Sequence, residues 1–230
     1  MPVLELVTST GLGSLLGMRH ALEPDHLAAV STLVAQERDG YKAAWLGACW
    51  GAGHTLALVT VGAALVVLRA RMPPAASNIF ELSVALMLVG LGVRAIHVAS
   101  RQGPAGPAHV HHHGHVVHVH RGAPAHIHIG AWTLARRPLL VGAVHGLAGS
   151  GALTALVLTT LPSTAARHAY MGLFGLGSTL GMAALSGLLG WPLARLGMHQ
   201  AFARGMSLAV GCLSIGLGLA WGYPFVARFL

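Results

Sequence analysis

The chain has 230 residues, of which 54% are hydrophobic and only 9% charged, against about 25% charged in a soluble domain. So little charge cannot form a water-facing shell, which excludes a soluble fold, and apolar runs that are continuous rather than alternating exclude a membrane β-barrel. The net charge of +8 does not signal nucleic-acid binding, because its Arg and Lys residues are scattered at predicted helix ends, where they orient a membrane chain.

A spanning helix needs about 20 apolar residues in succession, and stretches such as Ala43 to Leu68 and Ile79 to Val93 supply them. The pattern predicts an all-α integral membrane protein with six transmembrane helices, at 4–35, 43–69, 79–100, 138–161, 167–192 and 203–227. The 31 glycines suit membrane helices that approach closely. The N-terminus lacks the basic stretch of a cleavable signal peptide.

The first segment is too long for one straight span and is interrupted by Glu23-Pro24-Asp25. Proline removes a backbone donor and clashes with the preceding turn, so the first helix is expected to break at Pro24. That break carries His20, Asp25 and His26. Ionisable groups inside a span are costly and mark a site or pathway. Two imidazoles and a carboxylate supply nitrogen and oxygen donors that suit nickel, cobalt or zinc. At about 100° per residue, Asp25 and His26 would sit well around a regular helix from His20, so convergence on one ion requires the break. The blander alternative is a set of polar groups satisfying one another at a helix end. Arg19 adjoins the motif, within reach of Glu23 or Asp25.

The second segment holds His54 within Gly51-Ala52-Gly53-His54-Thr55, a candidate further donor or a histidine bonded to a neighbouring helix. Cys49 in this segment and Cys212 in the last read as packing residues. Arg94, near the end of the third segment, is long enough to snorkel to the interface.

Residues 102–137 form a linker between two halves, 1–101 and 138–230. Nine histidines lie between His109 and His128, including His111-His112-His113 and His118-Val119-His120. By composition such a tract is a metal binder or a solvated low-complexity linker that chelates weakly, and its Val-His alternation allows a short strand when metal binds.

The two halves resemble one another. GMRHALEPDHLAAVSTLV around His20 is matched by GAVHGLAGSGALTALVLT around His145, and GACWGAGHTLALV around His54 by GLFGLGSTLGMAAL around Ser178. His20 precedes His54 by 34 residues, and His145 precedes Ser178 by 33. Halves of three spans each must insert with opposite orientation, giving inverted repeats with a site at their interface. His145, the mate of His20, is therefore a candidate to line the site. Its half has glycines and Ser150 in place of the Asp-His pair. Thr55, Ser178 and Thr179 are candidates either to bond to ligands or to pack helices.

Loops after the first, third and fifth spans hold eight basic residues, Arg38, Lys42, Arg101, Arg121, Arg136, Arg137, Arg195 and Arg204; the other side holds four, Arg69, Arg71, Arg167 and Arg228. The excess predicts termini outside, the histidine-rich linker in the cytoplasm and residence in the cell's plasma (inner) membrane.

The pattern His-x4-Asp-His in an early helix, followed by Gly-His-Thr in the next, resembles the nickel/cobalt transporter family. The six-span length and the stretch from Val144 to Leu153 are similar to its compact bacterial members, associated with urease maturation. The resemblance implies transport of Ni2+ or Co2+, no catalytic residues and no cofactor. It also implies metal recognition by His20, Asp25 and His26, with His54 as the second-helix histidine. Larger relatives have eight spans and Gly-His-Ser-Thr where this chain has Gly-His-Thr. Expected partners are the lipid bilayer, the divalent ion and a cytoplasmic metallochaperone. Two other functions compete. A thiol-based transmembrane electron carrier needs exchanging cysteines, and Cys49 and Cys212 have no Cys-x-x-Cys context. A membrane metalloenzyme lacks its His-Glu-x-x-His helix.

Overall fold

The computed structural model describes residues 2–35, 37, 39–101, 109–113, 116–120, 126–129, 132–161, 163–195 and 200–227. Seven helices occur among them: α1 (Pro2–His20), α2 (Pro24–Val34), α3 (Gly40–Val67), α4 (Pro74–Arg101), α5 (Arg136–Thr160), α6 (Thr164–Arg195) and α7 (Gln200–Val226). They match the six predicted segments, with the first divided in two. Among the described residues, four stretches, Gly40–Val67, Pro74–Arg101, Thr164–Trp191 and Arg204–Val226, are long and apolar enough to cross a bilayer. That is fewer than the six expected. The break shares the first segment between pieces of 19 and 11 residues, and in α5 the side chains of residues 150–160 lie outside the described ones.

The bundle is built inside out relative to a soluble protein. Large apolar side chains such as Leu15, Leu56, Leu86, Leu188, Leu213 and Leu219 face outward, while Ser178, Ser186, Ser207 and Ser214 are buried. An apolar surface of this kind would aggregate in water and is matched to lipid. Cys49 is buried as expected of a packing residue, but Cys212 lies on an exposed face of α7; both are free thiols. The lipid-facing position explains how an apolar thiol can sit outside the packed interior.

Packing follows a symmetric scheme. α3 lies against α6, and α4 against α7; α1 packs on α6 as α5 packs on α3; α2 meets α7 as α5 meets α4. Exchanging the first three segments for the last three leaves this pattern unchanged. The glycines repeat the relation at atomic scale. A Cβ on Gly17 would strike the Phe174 carbonyl, and one on Gly142 the Trp50 carbonyl. Likewise Gly53 faces the Leu139 carbonyl, and Gly177 the Ser14 carbonyl. Between α3 and α6, Thr55 Oγ1 lies 2.9 Å from Thr179 Oγ1, its repeat mate, and 2.7 Å from the Gly175 carbonyl.

The linker modifies the all-α expectation. It contains two antiparallel hairpins, β1 (His109–His113) with β2 (Val116–His120) and β3 (His126–Ile129) with β4 (Trp132–Ala135). In β2 and β3, Val117-His118-Val119-His120 and His126-Ile127-His128-Ile129 alternate a β-branched residue with histidine at the strand period. His109 pairs with His120, and His111 with His118. Of the residues given a role in the sequence, Arg38, His115, Arg121 and Arg228 lie outside the described residues, as do the side chains of Ser150, Arg195 and the other linker histidines.

Candidate metal centre

The break between α1 and α2 builds the site. α1 ends on His20, and α2 restarts with Pro24 in its first turn. Glu23 precedes it with extended backbone, φ −64° and ψ 148°, the conformation favoured before proline. Pro24 costs nothing there, because the first N–H of a helix has no intrahelical partner. Asp25 then falls in the first turn of α2, where the helix dipole favours a carboxylate. The side chain of Asp25 is turned inward with His26, and both are buried.

α3 contributes His54, which is fully buried. It sits 14 residues after Gly40, about 20 Å along a 28-residue helix, so the site lies at mid-length of the bundle. α5 comes close because Gly142 and Gly146 carry no side chain; a Cβ on either would collide with the backbone carbonyl of Trp50 or His54. This approach brings in His145, also buried.

Four imidazoles thus meet. Ring centroids are 4.4 Å apart for His20 and His26, 5.3 Å for His20 and His54, 5.2 Å for His26 and His54, and 4.1 Å for His26 and His145. The donor nitrogens of His20, His26 and His54 all lie within 4.8 Å of one another, as do the donor atoms of Asp25, His26 and His145. These separations approach those required of ligands about 2.1 Å from a shared ion.

The carboxylates determine which nitrogens are free. Asp25 accepts from His26 Nδ1 at 3.1 Å and from His145 Nε2 at 2.8 Å. An ionised carboxylate has only lone pairs, so both nitrogens carry the proton, and His26 Nε2 is left with a bare lone pair. Glu23 Oε1 lies 3.0 Å from His20 Nδ1 and by the same logic frees His20 Nε2. His20 Nε2, His26 Nε2, His145 Nδ1 and both nitrogens of His54 are buried without a hydrogen-bond partner. Leaving such groups unpaired is costly; a bound cation relieves that cost.

All five residues singled out as metal candidates, His20, Asp25, His26, His54 and His145, therefore converge. Others do not join them. Arg19 is exposed, and the Glu23 carboxylate goes to His20 instead. Arg94 is exposed on α4. The hydroxyls of Thr55 and Thr179 bond to each other and to the Gly175 carbonyl, and Ser178 Oγ donates to the Gly17 carbonyl at 3.1 Å. These hydroxyls pack helices. Sequence reasoning missed two aromatic walls: Trp50, 5.5 Å from His26 and 5.9 Å from His145, and Phe174, 5.3 Å from His20. They occupy matched positions four residues before His54 and Ser178, which the repeat alignment contains.

Helices with outward apolar faces around a buried cluster of imidazoles define a helical integral membrane protein with an internal metal-competent centre. No family model and no solved structure matches the chain. The chain is 30% identical over 227 residues to the urease accessory protein UreH of Bacillus sp. (strain TB-90), an alignment covering 97% of this chain and 94% of that one. It belongs to this urease-accessory family, of nickel/cobalt-transporter type. It is also 30% and 26% identical to the Arabidopsis thaliana chloroplast proteins FOR GROWTH AND FERTILITY 1 and 2, and spans about half the length of each (50% and 56%).

Proposed function

We propose that this chain carries a divalent transition metal ion, nickel or cobalt, across the bilayer. The observation that carries the reading is the group of unpartnered imidazole nitrogens of His20, His26 and His54, buried at mid-length of an apolar bundle. Nitrogen donors select Ni2+, Co2+ and Zn2+ over Mg2+ and Ca2+, which prefer oxygen. The relationship to a urease accessory protein favours nickel among them. In this reading the cargo ion sits between His20, His26 and His54, with Asp25 and His145 beside it.

The same reading has six spans, α1 and α2 together forming the first, in two inverted three-helix halves. The symmetric packing of the segments and the matched glycine contacts support it. Termini lie outside and the histidine-rich linker in the cytoplasm of a cell whose plasma membrane holds the protein. There the linker would exchange metal with a cytoplasmic metallochaperone. The thiol-carrier alternative draws no support from one buried and one exposed cysteine in different halves.

The test is Ni2+ and Co2+ flux into proteoliposomes containing the purified protein in one orientation. Wild-type protein should carry either ion, and His20→Ala, His26→Ala and His54→Ala should reduce flux to that of empty vesicles. Wild-type flux in a His26→Ala variant that folds would refute the assignment.

A further inference from the structure

Five residues crowd the centre, but their nitrogens and oxygens are not equivalent. His20, His26 and His54 each present a nitrogen with no partner, and so does His145 through Nδ1. Asp25, by contrast, has both oxygens occupied: Oδ1 by His26 Nδ1 at 3.1 Å and Oδ2 by His145 Nε2 at 2.8 Å. Each oxygen keeps a second lone pair, but an ion bound there would compete with the bonds that hold His26 and His145 in place.

His145 is equally ill placed for ligation. An ion bound to an imidazole lies in the plane of that ring, along the lone pair. The His145 ring instead stacks over the face of His26, at 4.1 Å and 28° between planes, and stands 6.0 Å from His54. The repeat makes the contrast sharper. His20 and His145 occupy matched positions, yet His20 engages Glu23 through Nδ1 and keeps Nε2 free, whereas His145 engages Asp25 through Nε2 and keeps Nδ1 free on a ring stacked over His26.

We infer that Asp25 and His145 are positioning residues rather than ligands: His145 holds Asp25, Asp25 holds His26 Nδ1–H, and His26 Nε2 is thereby aimed at the cargo. The inference rests on the metal-transport reading and gives the second half a defined part in it. That part is one hydrogen bond crossing from α5 to α2, which links the geometry of the ion site to the relative placement of the two halves. Partners of this type around metal-bound histidines typically contribute 10–100-fold in affinity.

The experiment uses Co2+ alone as probe, added to the full-length protein in detergent, with binding isotherms and X-ray absorption of the bound ion. Wild type and His145→Gln should match in affinity within a few fold, because the glutamine amide can still donate to Asp25 Oδ2. Asp25→Asn and His145→Ala should each bind 10–100-fold more weakly, with the wild-type number of imidazole nitrogens around Co2+. Asp25→Asn/His145→Ala should bind no more weakly than Asp25→Asn, since the two residues act in series. Loss of an oxygen donor in Asp25→Asn, loss of an imidazole in His145→Ala or His145→Gln, or multiplicative losses in the double variant would overturn the inference. Absence of Co2+ binding by wild type is a separate result, and it would sink the transport reading itself.

Discussion

Replacing Gly142 by alanine tests both the site and the symmetry that builds it. In an open helix the change is stabilising by about 0.5–1 kcal/mol, because alanine loses less conformational freedom. At Gly142 the new Cβ would land on the Trp50 carbonyl. Ordinary carbon–oxygen contacts begin near 3.3 Å, so α3 and α5 would have to separate by roughly an ångström or more. Overpacking of this kind costs about 1–3 kcal/mol. Gly90, which has nothing within 4 Å of its built Cβ, supplies the control in which only the helix term acts. Gly142→Ala should therefore unfold at lower temperature than Gly90→Ala, by an amount equivalent to about 1–3 kcal/mol. The repeat adds a second demand. Gly17 meets the Phe174 carbonyl as Gly142 meets that of Trp50, so Gly17→Ala should show a comparable loss. Separation of α3 from α5 also moves His54 relative to His145, and Co2+ affinity should fall in Gly142→Ala with stability. Thermal unfolding in one detergent, followed by circular dichroism, measures the first effect, and a Co2+ isotherm the second. Equal midpoints for Gly142→Ala and Gly90→Ala would refute the close approach and the route by which α5 joins the site.

Thr55→Val removes the hydroxyl between α3 and α6 and should lower stability by about 0.5–1.5 kcal/mol while leaving the Co2+ isotherm unchanged; a weakened isotherm would make Thr55 part of the ion site. Arg69 closes α3 with a left-handed backbone, φ 50°, a conformation costing a side-chain-bearing residue about 1–2 kcal/mol. Arg69→Gly should raise the unfolding midpoint, and a lower midpoint would show that the arginine side chain matters more than the backbone. Deleting residues 109–128 removes all nine linker histidines; it should reduce total metal bound per chain but leave Ni2+ flux at saturating metal intact, and complete loss of flux in a folded deletion would make the linker part of the pathway.

What the chain alone determined follows from local chemistry. Apolar runs of membrane length predict helices whatever their neighbours. A proline after Glu23 breaks a helix by its ring and its missing N–H, so the break at Pro24 was legible. So were all five residues of the centre, because ionisable groups in an apolar span need a compensating role. Their division of labour was not legible. Spacing cannot say which nitrogen of His26 is free; that depends on Asp25 Oδ1, and Asp25 in turn on a histidine 120 residues away in α5. Likewise Thr55 and Thr179 stay open between bonding to ligands and packing helices until α3 meets α6, when their hydroxyls turn to each other and to a backbone carbonyl. Glycine content forecast close helices, but only the packed bundle pairs Gly142 with the Trp50 carbonyl and so sets how near His145 comes. Hydrogen bonds at such long sequence separation are decided by which helix faces meet, and that is a property of the assembled interior rather than of any one segment.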